Sequence, residues 1–353
     1  MKKKLSIVLL FGGRSAEHEV SIISARAIFK NLDPGKYETV SIYINKKGEW
    51  KQVISPFALT KELRTGPYFP FLPWLKVAGR PEIKGQVYFP VLHGPYGEDG
   101  TIQGLLEMAD VAYVGAGVMA SAIGMDKAIF KNLLSRLALP VVPYLIINEE
   151  DWKANNKAIE NLIISRFDFP LFVKPANLGS SIGISKVKKS QNLKPALELA
   201  FRYDRKILIE KAVHGREIEC SVLGNEHPIA SLPGEVIPHR EFYDYADKYL
   251  EGKTEFRIPA DLPVSLTRKI QELAVASFRA IDAAGMARVD FFLEKETDKI
   301  YINEINTIPG FTEISMYPKL WEVSGLNFQE LLDRLIKLAL ERHRQKKRCL
   351  KRS

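Results

Sequence analysis

The apolar run LSIVLLF (5–11) has the length of a strand and leads into Gly12, Gly13 and a stretch with helical spacing. Ser15 stands where an N-cap would, and Val20, Ile23, Ala27 and Ile28 recur at the helical period. TVSIYI (39–44) and VYFPVLHG (87–94) repeat the strand signature, and TIQGLLEMA (101–109) the helical one. Strands alternating with helices over residues 1–125 predict a parallel-sheet α/β unit. The Pro-rich, aromatic stretch from Pro56 to Pro81 reads as an elaboration of that unit.

After Asp126 the texture changes. A helix is expected over KAIFKNLLSRLAL (127–139), and apolar segments then come in pairs: LFVKP with IGISKV, ILIEKAV with EIECSVLG, and RVDFFLE with KIYINEIN. Hairpin-like pairings with helices between them predict an α+β architecture. At 353 residues the chain exceeds what a single core sustains, roughly 250–300 residues, so two or three domains are expected.

Composition excludes several classes. Two cysteines, Cys220 and Cys349, make neither a disulfide framework nor a zinc spacing. The start, MKKKLSIVLLFGG, imitates a signal peptide, but its apolar run ends at Phe11 and no A-x-A site follows. No later segment reaches the ~18 apolar residues of a membrane span. The expectation is a cytoplasmic chain with no membrane partner. The net charge of +9 suggests nucleic acid until it is located. Lys2–Lys4 carry three of the charges and residues 341–353 (ERHRQKKRCLKRS) a net six, which leaves residues 5–340 neutral. The tail reads as a frayed, solvated helix end, with no specific nucleic-acid partner.

VKPANLGSSIG (173–183) suggests a phosphate-binding loop, yet Lys174 precedes the glycines instead of following them as in a P-loop. Four other segments carry chemistry. In GGRSAEHEVS (12–21), Glu17 falls at the start of a helix, beside the crevice at the carboxyl end of the first strand. A carboxylate that merely complements the helix dipole would look the same. In VLHGPYGEDGTIQG (91–104), His93 ends a strand, either as a ligand contact or as a capped loop histidine. In ARVDFFLE (287–294) alternation puts Arg288, Asp290 and Phe292 on one face, and in IYINEIN (300–306) it puts Ile302, Glu304 and Asn306 together.

If those two strands pair, two carboxylates, a carboxamide and a guanidinium share a patch. Oxygen donors without His or Cys suit Mg²⁺ that keeps waters and borrows phosphate oxygens. Glu304 could then bridge two ions about 3.5–4 Å apart. A solvated polar sheet face is the plain alternative, weakened by the Pro-Gly turn and Ser315 of NTIPGFTEIS directly after. In ILIEKAVHGREIE (207–219), a strand ending in Glu210, Lys211, Ala212 and Val213 can offer backbone groups to an adenine edge, with Glu217 placed for ribose hydroxyls. With Lys127 and Lys174 for phosphate, the set describes a nucleotide held between two sheets.

GGRSAEHEVS, LHGPYGEDGTIQG, GMDK, FVKPANLGSSIGISKV, IEKAV, FYDYADKY, ARVDFF and NEINTIPGFTEIS, in this order, resemble the D-alanine:D-alanine ligase family of the ATP-grasp superfamily, from about Leu5 to Leu340. The resemblance implies an N-terminal α/β substrate domain (1–125) followed by an ATP-grasp fold of two α+β lobes. These are a central lobe (126–217) and a C-terminal lobe with the metal site (218–340), before the basic tail (341–353). It implies ATP-dependent joining of two D-alanines to D-alanyl-D-alanine through an acylphosphate, giving ADP and phosphate, for peptidoglycan precursor synthesis. The implied cofactors are ATP and two Mg²⁺, with Mn²⁺ as an alternative ion, and a homodimer is expected.

Residue by residue, the resemblance makes PANLGSSIG a flap over ATP. It assigns Lys127, Lys174 and Lys248 to the phosphates, with Ser181 also on the nucleotide. Glu210, Lys211, Ala212 and Val213 go to adenine, Glu217 to ribose, and Asp290, Glu304 and Asn306 to metal. Glu17 would hold the ammonium of the first D-alanine, with Ser180 and Tyr249 completing a hydrogen-bonded triad. Arg288 and the Gly310 backbone would stabilise the oxyanion, Ser315 would take the carboxylate of the second D-alanine, and His93 lies close enough to touch substrate. Two other readings stay open: a different ATP-grasp carboxylate–amine ligase, and a non-catalytic nucleotide-binding protein. Deleting residues 342–353 is expected to leave the ligation rate nearly unchanged.

Overall fold

Ile7, Leu9 and Phe11 turn to one side of the first strand and Val8 and Leu10 to the other, and all five are fully buried. An apolar run with no polar face thus becomes the central strand of a sheet covered on both sides. The structure, a computed structural model, describes residues 3–59, 86–238 and 254–350. Its first unit contains β1 (Leu5–Gly12), α1 (His18–Asn31), β2 (Tyr37–Ile44), β3 (Trp50–Val53), β4 (Val87–Val91), α2 (Thr101–Met108) and β5 (Ala112–Tyr113). The sheet order is β3-β2-β1-β4-β5, parallel except for the edge strand β3. This is the expected parallel α/β sheet. Of the Pro-rich stretch, Pro56–Ala58 forms a 3₁₀ turn against α1, and residues 60–85 lie outside the described residues.

The next segment contains α3 (Val118–Met125), α4 (Lys127–Arg136), β6 (Tyr144–Asn148), α5 (Glu149–Ala154), α6 (Asn156–Arg166), β7 (Leu171–Pro175), β8 (Ser185–Val187), α7 (Leu193–Phe201) and β9 (Lys206–Lys211). Its strands form an antiparallel sheet in the order β6-β9-β7-β8. The last segment contains β10 (Gly215–Gly224), β11 (Ile229–Ala230), β12 (Gly234–Ile237), β13 (Glu255–Arg257), α8 (Val264–Ala280), β14 (Gly285–Glu294), β15 (Ile300–Asn306), α9 (Met316–Val323) and α10 (Phe328–Leu350). Its antiparallel sheet runs β13-β12-β10-β14-β15, with β11 on β10.

One expected pairing is absent. ILIEKAV and EIECSVLG, read as a hairpin, fall in different sheets: β9 pairs with β6 and β7, while β10 pairs along its whole length with β14. Each strand follows its longer partners and its own core, Ile207 and Ile209 with Val173, but Ile218, Cys220 and Val222 with Phe291. The three residues between them carry the chain from one sheet to the other.

The first sheet does not own its core. The face bearing Ile7, Leu9 and Phe11 is filled by Phe311, Tyr317 and Trp321, and by Leu331, Leu332, Leu335 and Ile336 of α10, far along the chain. The central sheet, by contrast, packs a separate core drawn from residues 147–209. Among the described residues no helix is long and apolar enough to cross a membrane.

As far as Leu350 the basic tail is not a frayed end. The last helix continues through Leu350, and its basic face docks on the α2–β5 corner of the first unit. Arg342 donates to the carbonyls of Gly115 and, at 3.2 Å, Tyr113, with its guanidinium 4.2 Å from the Tyr113 ring centre. Lys346 pairs with Glu107, and Lys347 lies 3.2 Å from Asp110. The sequence displays the run of bases but not the acids that fold opposite it. Charged donors on carbonyls contribute about 1.5–3 kcal/mol each, so Arg342→Ala should lower the melting temperature by several degrees. Exposed Arg344→Ala should leave it within a degree. Equal melting of both variants in calorimetry would mean that the docking contributes nothing.

Candidate active site

The strands β14 and β15 pair with Arg288 opposite Asn306 and Asp290 opposite Glu304, as the sequence suggests. The next pair is Phe291 with Ile302, which leaves Asn303 unmatched in a bulge. Strict alternation predicts Ile302 on the face of Glu304. The bulge reverses the phase, and Ile302 turns into the core with Phe291 and Ile305. On the polar face Arg288 grips Asp290 with two hydrogen bonds, Nε to Oδ1 at 2.7 Å and Nη2 to Oδ2 at 2.6 Å. Asn306 Nδ2 donates to Asp290 Oδ2 at 3.0 Å. Glu219, opposite Asp290 on β10, brings a carboxylate oxygen within 3.0 Å of Arg288 Nε. Burial alone would lower the Arg288 pKa, but Asp290 and Glu219 outweigh it and hold it well above its ordinary value. Glu219 escaped the sequence reading, although its two-residue spacing from Glu217 places both on one strand face.

Lys127 opens α4 because Asp126 caps that helix, accepting from the Ala128 and Ile129 N–H groups at 3.0 Å each. A cation at a helix N-terminus opposes the dipole. Here Lys127 Nζ is held at 3.1 Å by Glu304 Oε2 and at 2.9 Å by the Leu178 carbonyl. Lys174 projects from β7, 2.6 Å from Glu210 Oε2 and 5.9 Å from the Phe292 ring of β14, so it spans the gap between the two antiparallel sheets. The other oxygen of Glu210 lies 2.8 Å from Lys131 Nζ, a buried lysine that the sequence reading passed over. The Glu210 side chain is therefore committed to lysines, and only its backbone can read an adenine edge. Of the residues beyond it, Lys211 N–H already donates to Pro143 O and Ala212 N–H to Pro170 O, each at 3.2 Å.

Glu17 occupies the N-cap position of α1. Ser15 is not the cap: its Oγ accepts from Glu17 N at 3.1 Å and donates to His93 O at 2.6 Å, tying the two glycine-rich loops together. The Glu17 carboxylate lies against Gly94 and Gly179, where an added methyl would come within 2.9 and 3.4 Å of it. His93 donates from Nδ1 to Ile308 O at 3.0 Å and accepts at Nε2 from Ser24 Oγ at 3.2 Å, while Ser24 Oγ accepts from Phe311 N. Burial lowers its pKa. With both ring nitrogens hydrogen-bonded, His93 lines the site and links the loop after β4 to Ile308 and, through Ser24, to Phe311.

Glu98 accepts from Gly94 N at 2.7 Å and Ile308 N at 3.2 Å. Burial first, and the nearby Glu17 charge second, push its carboxyl up to about 8. The flap places Ser180 and Ser181 in left-handed backbone, φ 52° and 58°. Such conformations are uncommon away from glycine and gather at ligand sites. The buried Ser180 Oγ has no hydrogen-bond partner among the described residues. Gly310 sits over Ser315, whose Oγ would lie 2.8 Å from any side chain added there. Lys248 and Tyr249 lie outside the described residues.

These groups line two adjoining cavities. One, about 100 Å³, is walled by Glu17, His93, Glu98, Asn306 and Gly310. The other, about 70 Å³, is walled by Lys174, Ser181, Glu217, Glu219, Asp290 and Phe292. Lys127, Gly179, Ser180, Arg288 and Glu304 belong to both. Ser315 lies on a third, larger opening of about 590 Å³ that meets the first at Arg288 and Gly310. Among the described residues no group of three or more His, Cys, Asp or Glu side chains gathers at metal-binding distance. Two carboxylates and a carboxamide fit a hard cation that completes its shell with water and phosphate oxygens.

A parallel α/β sheet followed by two antiparallel sheets, with lysines and carboxylates between them, is the architecture of an ATP-grasp enzyme. The family model for the D-Ala-D-Ala ligase N-terminus matches residues 6–116 and that for the C-terminus residues 133–337. A D-alanine–D-alanine ligase from Solibacter usitatus is 52% identical over 343 residues, covering 97% of this chain and 98% of the relative. The solved D-alanine–D-alanine ligase from Coxiella burnetii is 40% identical, covers 99% of this chain and 97% of its own, and superposes with a TM-score of 0.87. A D-Ala:D-Ser ligase from Enterococcus faecalis is 35% identical, with coverage of 96% and 100% and a TM-score of 0.85. The chain belongs to the D-alanine–D-alanine ligase family. This family uses ATP and a divalent metal.

A carboxyl raised by folding costs stability once pH rises above its unfolded value near 4.5, increasingly so up to its folded value near 8. Glu98→Gln, fixed in the neutral form, should therefore gain melting temperature relative to the parent as pH rises from 5 to 9. A difference that stays flat over that range would place the Glu98 titration elsewhere.

Proposed function

We propose that this chain joins two D-alanine molecules into D-alanyl-D-alanine, converting ATP to ADP and phosphate, as a step of peptidoglycan precursor synthesis in the cytoplasm. The observation that carries this reading is the shared wall: Lys127, Ser180, Arg288 and Glu304 belong both to a cavity suited to an amino acid and to one suited to phosphates. A carboxylate held in the first cavity can then meet a terminal phosphoryl group held in the second.

In the first step a carboxylate oxygen of the first D-alanine attacks the γ-phosphorus, and the β–γ bridging bond breaks with its electrons leaving on ADP. In the second, the amine of the other D-alanine adds to the acylphosphate carbonyl and loses a proton, and phosphate departs. Glu17 holds the first ammonium, with the orphaned Ser180 Oγ beside it. Arg288 and the Gly310 backbone face the carbonyl oxygen as it gains charge, and Ser315 receives the second carboxylate from the larger opening. Lys127 and Lys174 steady the phosphates, Val213 offers its backbone to adenine, and Glu217 meets ribose hydroxyls. Asp290, Glu304 and Asn306 would hold two Mg²⁺, or Mn²⁺, which neutralise phosphate charge when bound. Positioning and charge neutralisation are what this chemistry requires. We assign Lys248 and Tyr249 to the γ-phosphate and the Ser180 triad, and expect the chain to act as a homodimer.

A second reading, another D-amino acid as acceptor, is favoured by the likeness to a chain named a D-Ala:D-Ser ligase. Incubated with ATP, Mg²⁺ and D-alanine, the protein should release ADP, phosphate and dipeptide in equal amounts, and L-alanine should give little. AMP and pyrophosphate as main products would overturn the mechanism. A mixed dipeptide outweighing D-alanyl-D-alanine at equal D-serine and D-alanine would select the second reading. Glu304→Gln should remove most turnover while the variant still melts cooperatively, because a neutral amide is a weaker ligand for a hard cation.

A further inference from the structure

A buried charge lies beside the nucleotide cavity without lining it. Lys131 stands on α4 one turn beyond Lys127, 1% exposed, and its ammonium is 2.8 Å from Glu210 Oε1. Neither atom has another partner among the described residues. Glu210 is 2% exposed and gives its second oxygen to Lys174 Nζ at 2.6 Å, while Lys174, 8% exposed, lines the cavity. Taking an ammonium out of water costs several kcal/mol, and a methionine would fill the same space without that cost. The charge itself therefore needs a reason.

The arrangement supplies one. Lys174 and Glu210 alone would form a neutral pair, in which the carboxylate cancels much of the field that Lys174 sends into the cavity. Lys131 adds a second cation on the far oxygen, so the three groups together carry one net positive charge, and Lys174 is the member that faces the ligand. Lys127, the other lysine of the cavity among the described residues, is paired with Glu304 and does not change this balance. Burial by itself would raise the Glu210 carboxyl, but Lys131 and Lys174 outweigh it and bring it down to about 2. Burial, with the nearby Lys174 charge, leaves Lys131 below its ordinary value, and Glu210 offsets part of that.

Resting on the nucleotide-binding reading above, we propose that Lys131 is a positioning residue for the adenine nucleotide: it balances Glu210 so that Lys174 keeps its charge for a phosphate. Lys131 touches no reacting atom and acts only through Glu210. The proposal makes a charge-counting forecast that a merely structural lysine would not. Lys131→Met leaves the cluster neutral, and the double variant Lys131→Met with Glu210→Gln returns it to one net positive charge.

Calorimetric titration of the full chain with Mg·ADP tests this, together with the Michaelis constants for ATP and D-alanine. Lys131→Met should weaken ADP binding about tenfold or more and raise the KM for ATP, with the KM for D-alanine nearly unchanged. The double variant should recover ADP affinity to within about threefold of the parent. Should the single variant fail to fold, Glu210→Gln alone decides: it carries two net positive charges against one in the double variant and should bind ADP about tenfold more tightly than the double variant, and equal affinity of the two would overturn the inference. Undiminished ADP affinity in Lys131→Met, or a folded double variant as weak as the single one, would overturn the inference alone. A parent chain that binds no ADP would overturn the nucleotide reading and the inference with it.

Discussion

The packing of the last two helices against the first sheet governs the rest of the molecule. Phe311, Tyr317, Trp321 and the apolar face of α10 fill the side of β1 that carries Ile7, Leu9 and Phe11, so the two ends of the chain share one core. Dispersion and the removal of apolar surface from water make that contact as firm as a domain interior. Glu17 from the first loop and Arg288 with Gly310 from the last unit consequently face one cavity at fixed separation. Small polar bonds register the join: Ser24 stands between His93 and the Phe311 N–H, and Glu98 takes the Ile308 N–H. Arg342 clamps the opposite edge.

The central sheet stands apart, because its core is its own. Around the cavity its ties to the last unit are polar ones made by lysines: Lys127, at the start of α4, to Glu304, and Lys174 across to Phe292. Lys127 and Lys174 are each held by a carboxylate partner, which fixes where their charge points before any ligand arrives. Preorganised charge of this kind is what phosphoryl transfer asks of a protein, since the chemistry needs little covalent help. The packing thus joins the first and last units through one core and leaves the central sheet with a core of its own.

Much of the site was legible because strand geometry is local. Arg288, Asp290, Glu304 and Asn306 could be placed together from alternation and one assumed pairing, and the register realises that pairing. Ile302 marks where the local rule stops: one extra residue, Asn303, reverses the phase, and nothing in IYINEIN announces it. The β9–β10 hairpin fails for a related reason, since a strand chooses its partner by the total length of ladder and the core on its face, both set by distant segments. Glu219 and Lys131 carried weak signals, a two-residue and a four-residue spacing, that became meaningful only once Asp290 and Glu210 were seen opposite them.

By itself the sequence determined the parallel α/β start, the pairing of the two acidic strands, the glycine-rich loop and the chemical character of the cavity. Those depend on periodicity, turn residues and donor types within short windows, where neighbours along the chain are neighbours in space. Only the tertiary structure decided that the basic end is a docked helix, that His93 is hydrogen-bonded to Ile308 and Ser24, and that Glu210 is buried between two lysines. In each case the deciding partner lies tens to hundreds of residues away, and a charge or ring nitrogen acquires its role from the group that folding sets against it.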